Sequence, residues 1–179
     1  MTWPNGNQIV IDCNVFVHLC TRDAKYNPDG HVLILLGKLA VKSCTLLVDD
    51  EGLFRHEYAT QLSGHLKKES EIGSELAILR YWLDSGNQSE REVGANKELM
   101  KAICDVIIEK VRADRAYVYV SFSTGTVLVS NDETHVVVGP ASKKEKRAQR
   151  RNRMAKGAKK HLVQGAEILF SSEAAQCLS

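Results

Sequence analysis

The chain reads as an α/β protein built on a central, mainly parallel sheet. Three observations predict this. Short runs of consecutive apolar residues (Ile9-Val10-Ile11, Leu46-Leu47-Val48, Val127-Leu128-Val129) show no polar alternation, as strands buried on both faces of a parallel sheet do. Longer stretches with apolar residues at helical spacing separate them. Each run also closes on acids or their amides: Asp12, Asp49-Asp50 and Asn131-Asp132. Open α/β sheets place their ligands at that end of the strands.

In chain order, Gln8–Ile11 is the first strand, and Val15–Leu19 turns directly into a short apolar helix. Asn27-Pro28-Asp29-Gly30 is a turn signal. Val32, Leu35, Leu36 and Leu39 mark a helix over His31–Lys42, and Thr45–Asp50 is the second buried strand. A helix follows from about Glu51 to Lys68 through Leu53, Phe54, Tyr58, Leu62 and Leu66, with helical continuation from Glu69 to Leu83. Asp84–Ser89 reads as a surface loop. The next helix runs from Asn96 to about Arg112, through Leu99, Ile103 and Val106. Asp114–Phe122 is ambiguous: Tyr117-Val118-Tyr119-Val120 has strand propensity, yet Ala116, Val120 and Thr124 suit a buried helix. Val127–Ser130 is the third buried strand, and Glu167–Phe170 is a last short one, with Ser171 or Ser172 capping a final helix. No internal repeat is visible.

At 179 residues the chain suits one domain, 1–179, with a core of its own. No apolar run approaches the ~20 residues that span a bilayer, and the N-terminus has neither a basic start nor a signal-like apolar stretch. A cytoplasmic location, or wherever nucleic acid is handled, is the expectation. The five cysteines form no Cys-x-x-Cys pair, and four lie in apolar segments, which predicts buried reduced thiols. The six histidines offer no convincing zinc spacing. Net charge is +2 but uneven. Lys143, Lys144, Lys146, Arg147, Arg150, Arg151, Arg153, Lys156, Lys159 and Lys160 stand against Glu145 alone, so this stretch is +9 and the remainder −7. An acidic body with a basic arm over 140–161 suggests metal cations held in one place and a polyanion in another.

Four carboxylates fall at comparable places. Asp12 and Asp132 end buried strands, Asp114 starts the ambiguous segment, and Glu57 lies two turns into the helix after the second strand. In a parallel sheet, strand ends and the following helix starts share one edge, so all four can face one cleft. Ionised carboxylates at close range raise one another's pKa unless a cation neutralises them. Hard oxygen donors favour Mg²⁺ or Mn²⁺, and a metal so held can activate water for attack on a phosphodiester. Rival readings stay open. Asp12 can be a helix cap; Asp49, Asp50 or Glu51 can take the place of Glu57, and Asp105 that of Asp114.

The ordered set Ile-Val-Ile-Asp12-x-Asn14-Val, Glu57 in Arg55-His56-Glu57-Tyr58, and Asp114 followed eighteen residues later by Asp132 in Val127-Leu128-Val129-Ser130-x-Asp132 resembles the PIN-domain nucleases. The likeness runs from about residue 8 to the C-terminus, where Gly165–Leu169 and the helix after it look like that family's closing elements. It implies a three-layer, Rossmann-like α/β/α sandwich and Mg²⁺- or Mn²⁺-dependent phosphodiester hydrolysis, most often of RNA. It also implies metal-site and catalytic roles for Asp12, Glu57, Asp114 and Asp132, with Asn14 and Ser130 as supporting polar groups, and it favours a helix over Asp114–Phe122. His135 stands where the family often has an aromatic residue.

The basic arm has only a thin apolar face of alanines and Met154, and no aromatic residue to stack bases. Its ten cations are expected to grip phosphates without reading sequence. The expected function is a ribonuclease, housekeeping or of toxin type. The alternative is a non-catalytic RNA- or ribonucleoprotein-binding module that uses the arm. RNA is favoured over DNA as partner; a homodimer, or an inhibitor protein for a toxin, is compatible with the same chemistry.

Overall fold

The computed structural model describes residues 7–22, 25, 27–66, 73–105, 112–132 and 167–178. Among them, five strands form one sheet in the order β3-β2-β1-β4-β5: β1 (Gln8–Ile11), β2 (Thr45–Asp49), β3 (Gln88–Arg91), β4 (Leu128–Val129) and β5 (Ile168–Leu169). Every pairing is parallel. The chain winds outward from β1 through β2 to β3, then returns to the other side of β1 for β4 and β5. The order therefore reverses between β1 and β4, and the crevice at such a reversal is where ligands of open α/β sheets lie.

The helices are α1 (Cys13–Thr21), α2 (His31–Val41), α3 (Leu53–Leu66), α4 (Gly73–Leu83), α5 (Lys97–Cys104), α6 (Arg112–Thr124) and α7 (Ser171–Cys177). α6 lies against β1, β2 and β4, with α3 and α5 beside it, while α2 packs on α1, α4 and α7. The result is a three-layer α/β/α sandwich around the parallel sheet. Ile9, Val10, Ile11, Leu46, Leu47 and Val48 are fully buried, as their unbroken apolar runs require, because helices cover both faces of the sheet. α2 buries Val32, Leu35, Leu36 and Leu39, its predicted stripe.

The differences from expectation have physical causes. Asp84–Ser89 is not wholly a loop: a 3₁₀ turn over Ser85–Asn87 leads into β3. That strand is polar because it is an edge, paired only with β2, from Leu46↔Gln88 to Asp49↔Arg91. Arg55 on α3 ties it down through Gln88 (3.0 Å) and Glu90. α4 covers the expected helical continuation from Gly73 to Leu83, and residues 67–72 before it lie outside the described residues. The ambiguous segment is helix α6, buried without a break from Ala116 to Phe122. A helix covered all round has no polar face, so its period is hidden in the sequence. α7 is capped at Phe170, one residue earlier than expected, and the Glu173 carboxylate accepts the Phe170 N–H at 2.9 Å. Cys13 and Cys44 are buried as expected, but Cys20, Cys104 and Cys177 are only half-buried; all five are free thiols. No helix among the described residues is long and apolar enough to cross a membrane.

Candidate functional site

The register of β1 and β4 builds the site. Val10 pairs with Leu128 and Ile11 with Val129, and the Asp12 N–H donates to the Val129 carbonyl at 2.9 Å. Asp12 and Ser130 therefore leave their strands side by side, although 118 residues apart. The Ser130 hydroxyl donates to Asp12 Oδ2 at 2.6 Å and accepts the Asp132 N–H at 3.0 Å. Asn14 completes the cradle. Its backbone N–H donates to Asp12 Oδ1 (3.1 Å) and its side-chain amide to Oδ2 (2.9 Å). The Asn14 carbonyl oxygen in turn accepts the Asn131 N–H at 3.0 Å. Asp12 is indeed the N-cap of α1, so the cap reading is correct as far as it goes. A cap alone does not explain what faces the carboxylate.

What faces it is more negative charge. Burial pushes the Asp12 carboxyl well up, and Asp114 and Glu57 push it further, against the lowering hydrogen bonds from Ser130 and Asn14. Burial raises Glu57; the Tyr117 hydroxyl bond opposes this and Asp132 adds to it. Burial, then Asp132, then Glu57 lift Asp114 from 3.8 to about 7. Glu57 and Asp114 thus lie within electrostatic reach both of Asp12 and of Asp132, which follow the neighbouring strands β1 and β4. Among the described residues, no lysine or arginine forms an ion pair with Asp12, Glu57 or Asp114.

The rival acids lie elsewhere. Asp49 is fully buried, and its two oxygens accept the Leu53 and Phe54 N–H groups at 2.7 and 2.8 Å, which closes the N-terminus of α3. Asp50 accepts the Val93 N–H (3.1 Å), Glu51 pairs with Arg112 (2.8 Å), and Asp105 is an exposed C-cap of α5. The ten cations of the arm, and His135, lie outside the described residues.

Sequence reasoning passed over two groups in the site. The Tyr117 hydroxyl donates to Glu57 Oε2 at 2.8 Å and accepts the Cys13 N–H at 3.3 Å. Its ring stacks on Phe54 with centroids 4.0 Å apart. A signal existed: Tyr117 follows Asp114 by three residues, so both lie on one face of α6. Asn131 is buried, and its carbonyl oxygen accepts both the N–H (3.1 Å) and hydroxyl (2.9 Å) of Ser171, while its amide meets His18 Nδ1 at 3.0 Å. It ties α7 and α1 to the cradle. Cys13 is no nucleophile in waiting, because burial, Glu57 and Asp12 all hold its thiol protonated.

The donor set suits a hard divalent cation: carboxylate oxygens, partly buried, with a surplus of negative charge. It is not a closed ligand shell as it stands, since no three His, Cys, Asp or Glu side chains among the described residues are disposed to hold an ion. Comparison with known proteins adds no identity: no family model, no curated protein and no solved structure matches the chain.

Proposed function

We propose that this chain is a metal-dependent phosphodiesterase of the PIN-nuclease kind, acting on nucleic acid and on RNA in preference to DNA. One observation carries the reading. Asp12 and Asp132 follow neighbouring strands at the reversal of strand order, and burial together with the charge of other acids of the set raises the pKa of Asp12, Glu57 and Asp114. Charge gathered at such cost is typical of functional sites.

In this reading Asp12, Glu57, Asp114 and Asp132 would hold Mg²⁺ or Mn²⁺. A bound divalent cation supplies neutralising charge, an acidified water and stabilisation of the charge that builds on the phosphate under attack. The chain's own residues do the rest. Ser130 and Asn14 fix the Asp12 carboxylate from both sides, so it needs little reorganisation. Tyr117, kept protonated by its burial and by Tyr58, Asp12 and Glu57, keeps its hydroxyl proton for Glu57 and so aims that carboxylate. The raised acids hold protons that a cation would displace, so cation binding releases protons and strengthens as pH rises through about 7. The basic stretch 140–161 grips flanking phosphates.

The test is a gel assay of labelled single-stranded RNA, DNA and an RNA hairpin with Mn²⁺, using EDTA as control. Cleavage that needs Mn²⁺ and disappears in Asp12→Asn is the expected result; undiminished cleavage by that variant in metal-replete buffer overturns the mechanism. One observation favours the second reading, a non-catalytic RNA-binding module: no three described side chains are placed to hold an ion. A melting temperature indifferent to millimolar Mn²⁺ would support it.

A further inference from the structure

Beside the carboxylate edge lies a cleft of about 430 Å³ whose lining includes Glu51, Leu53, Val93, Met100, Arg112 and Arg115. It is large enough for a nucleoside with a phosphate. Three features bear on what it takes. Leu53, Val93 and Met100 supply an apolar lining, and two guanidinium groups stand beside it. Arg112 and Arg115 flank Asp114 on the first turn of α6, and Leu53 lies one helical turn before Glu57 on α3. The cleft and the acids are therefore neighbours across the start of α6. The Arg112 guanidinium is also engaged weakly: its 2.8 Å pair with Glu51 is solvent-exposed, at 71% and 42% side-chain exposure. Such a pair contributes little. A phosphate accepts both prongs of a guanidinium, so it can take the place of the weakly held Glu51; a terminal phosphate carries more charge than the carboxylate, and a phosphodiester the same.

We infer that this cleft is a nucleotide subsite, holding one nucleotide of the strand next to the scissile bond, with its phosphate on Arg112 in place of Glu51 and its base against the apolar lining. The inference deepens the nuclease reading and rests on it for the strand's path past the acids. Because no aromatic ring lines the cleft among the described residues, discrimination between bases is expected to be small. Glu51 acts as a competing carboxylate that the phosphate displaces, so the two partners of one ion pair should have opposite effects on binding.

The experiment uses the full chain carrying ¹³C-methyl methionine, in EDTA, titrated with adenosine 5′-monophosphate. Of the three methionines, Met100 lines the cleft and Met154 lies in the basic arm, so the two regions report separately; Met100→Leu assigns the signal. A saturable shift of the Met100 methyl is expected. Arg112→Gln should weaken its Kd about two- to fivefold and Glu51→Gln tighten it by a similar factor. Adenosine without the phosphate should be insensitive to both. A Met100 signal that stays still, or a Kd alike in wild type and both variants, overturns the subsite. The readout needs neither metal nor turnover. A responsive cleft on a chain that never cleaves RNA sinks the nuclease reading alone, and cleavage with a silent Met100 sinks the subsite alone.

Discussion

Asp12 and Asp49 look alike in the sequence and are alike in position. Each follows an unbroken run of three apolar strand residues, each starts the turn into a helix, and each is buried. Their surroundings differ completely. Asp49 has one helix-terminal N–H for each oxygen, and the positive end of α3 beneath it. Asp12 meets one backbone N–H, a serine and an asparagine, and beyond them two more carboxylates. The difference is position in the sheet. β2 lies between β1 and β3, away from the reversal, whereas β1 lies at it. Equal burial thus yields a fully capped acid in one place and, in the other, one set against further negative charge.

Substitutions can break this comparison or sharpen it. The largest effect expected is on chemistry: Asp12→Asn should reduce Mn²⁺-dependent RNA cleavage by at least about a thousandfold while circular dichroism and urea stability stay near wild type. Asp49→Ala should do the reverse, costing about 2–4 kcal/mol of stability for two lost charge-assisted caps, measured by urea unfolding. If its remaining folded fraction lost cleavage without losing stability, the two acids would not differ in role.

pH gives a subtler test. An acid whose folded pKa is raised adds stability that is complete below its unfolded value and is lost as pH rises through the folded one. For Asp114 that window runs from 3.8 to about 7, and Asp12 and Glu57 act in the same direction. Without metal the protein should therefore melt lower at pH 8 than at pH 6. Asp114→Asn should recover on the order of 3 °C at pH 8, which corresponds to ~1 kcal/mol in a domain of this size, and Mn²⁺ should stabilise wild type more than the variant. A variant that melts lower than wild type at pH 8 would contradict the repulsion. Of similar size, Ser130→Ala and Tyr117→Phe should each weaken Mn²⁺ affinity about tenfold, as loss of a ligand-orienting group does, by calorimetric titration. Neither should change stability by more than about 2 kcal/mol.

Much of the sheet was legible because β1, β2 and β4 are buried on both faces and so carry unbroken apolar runs. β3 was not: Gln88-Ser89-Glu90-Arg91 has no apolar residue, and its place comes from the β2 ladder and from Arg55, neither of which leaves a local signal. α6 was half legible, since Tyr117 to Val120 suits a strand by composition and only burial on all sides makes it a helix. The acids could be enumerated from the sequence, but Asp49 stayed open as a substitute for Glu57, and nothing local marked it as the fully capped acid of the set. That depends on which strand lies beside β4, a property of topology and not of any local pattern. Asn131 escaped notice between Ser130 and Asp132 because its partners, His18 and Ser171, are 113 and 40 residues away.

The strand order also bears on how the acids come together during folding. A chain organised only as far as β3 possesses two of its four acids, Asp12 and Glu57, and nothing yet obliges them to share space with the others. Asp132 arrives only when β4 slides in beside β1, a closure across more than a hundred residues and slow for that reason. The electrostatic penalty of placing Asp132 near Glu57 and Asp114 is therefore met at that docking event. Ions present during that event should accelerate it, so the refolding rate, and not only the final stability, is expected to rise with Mn²⁺.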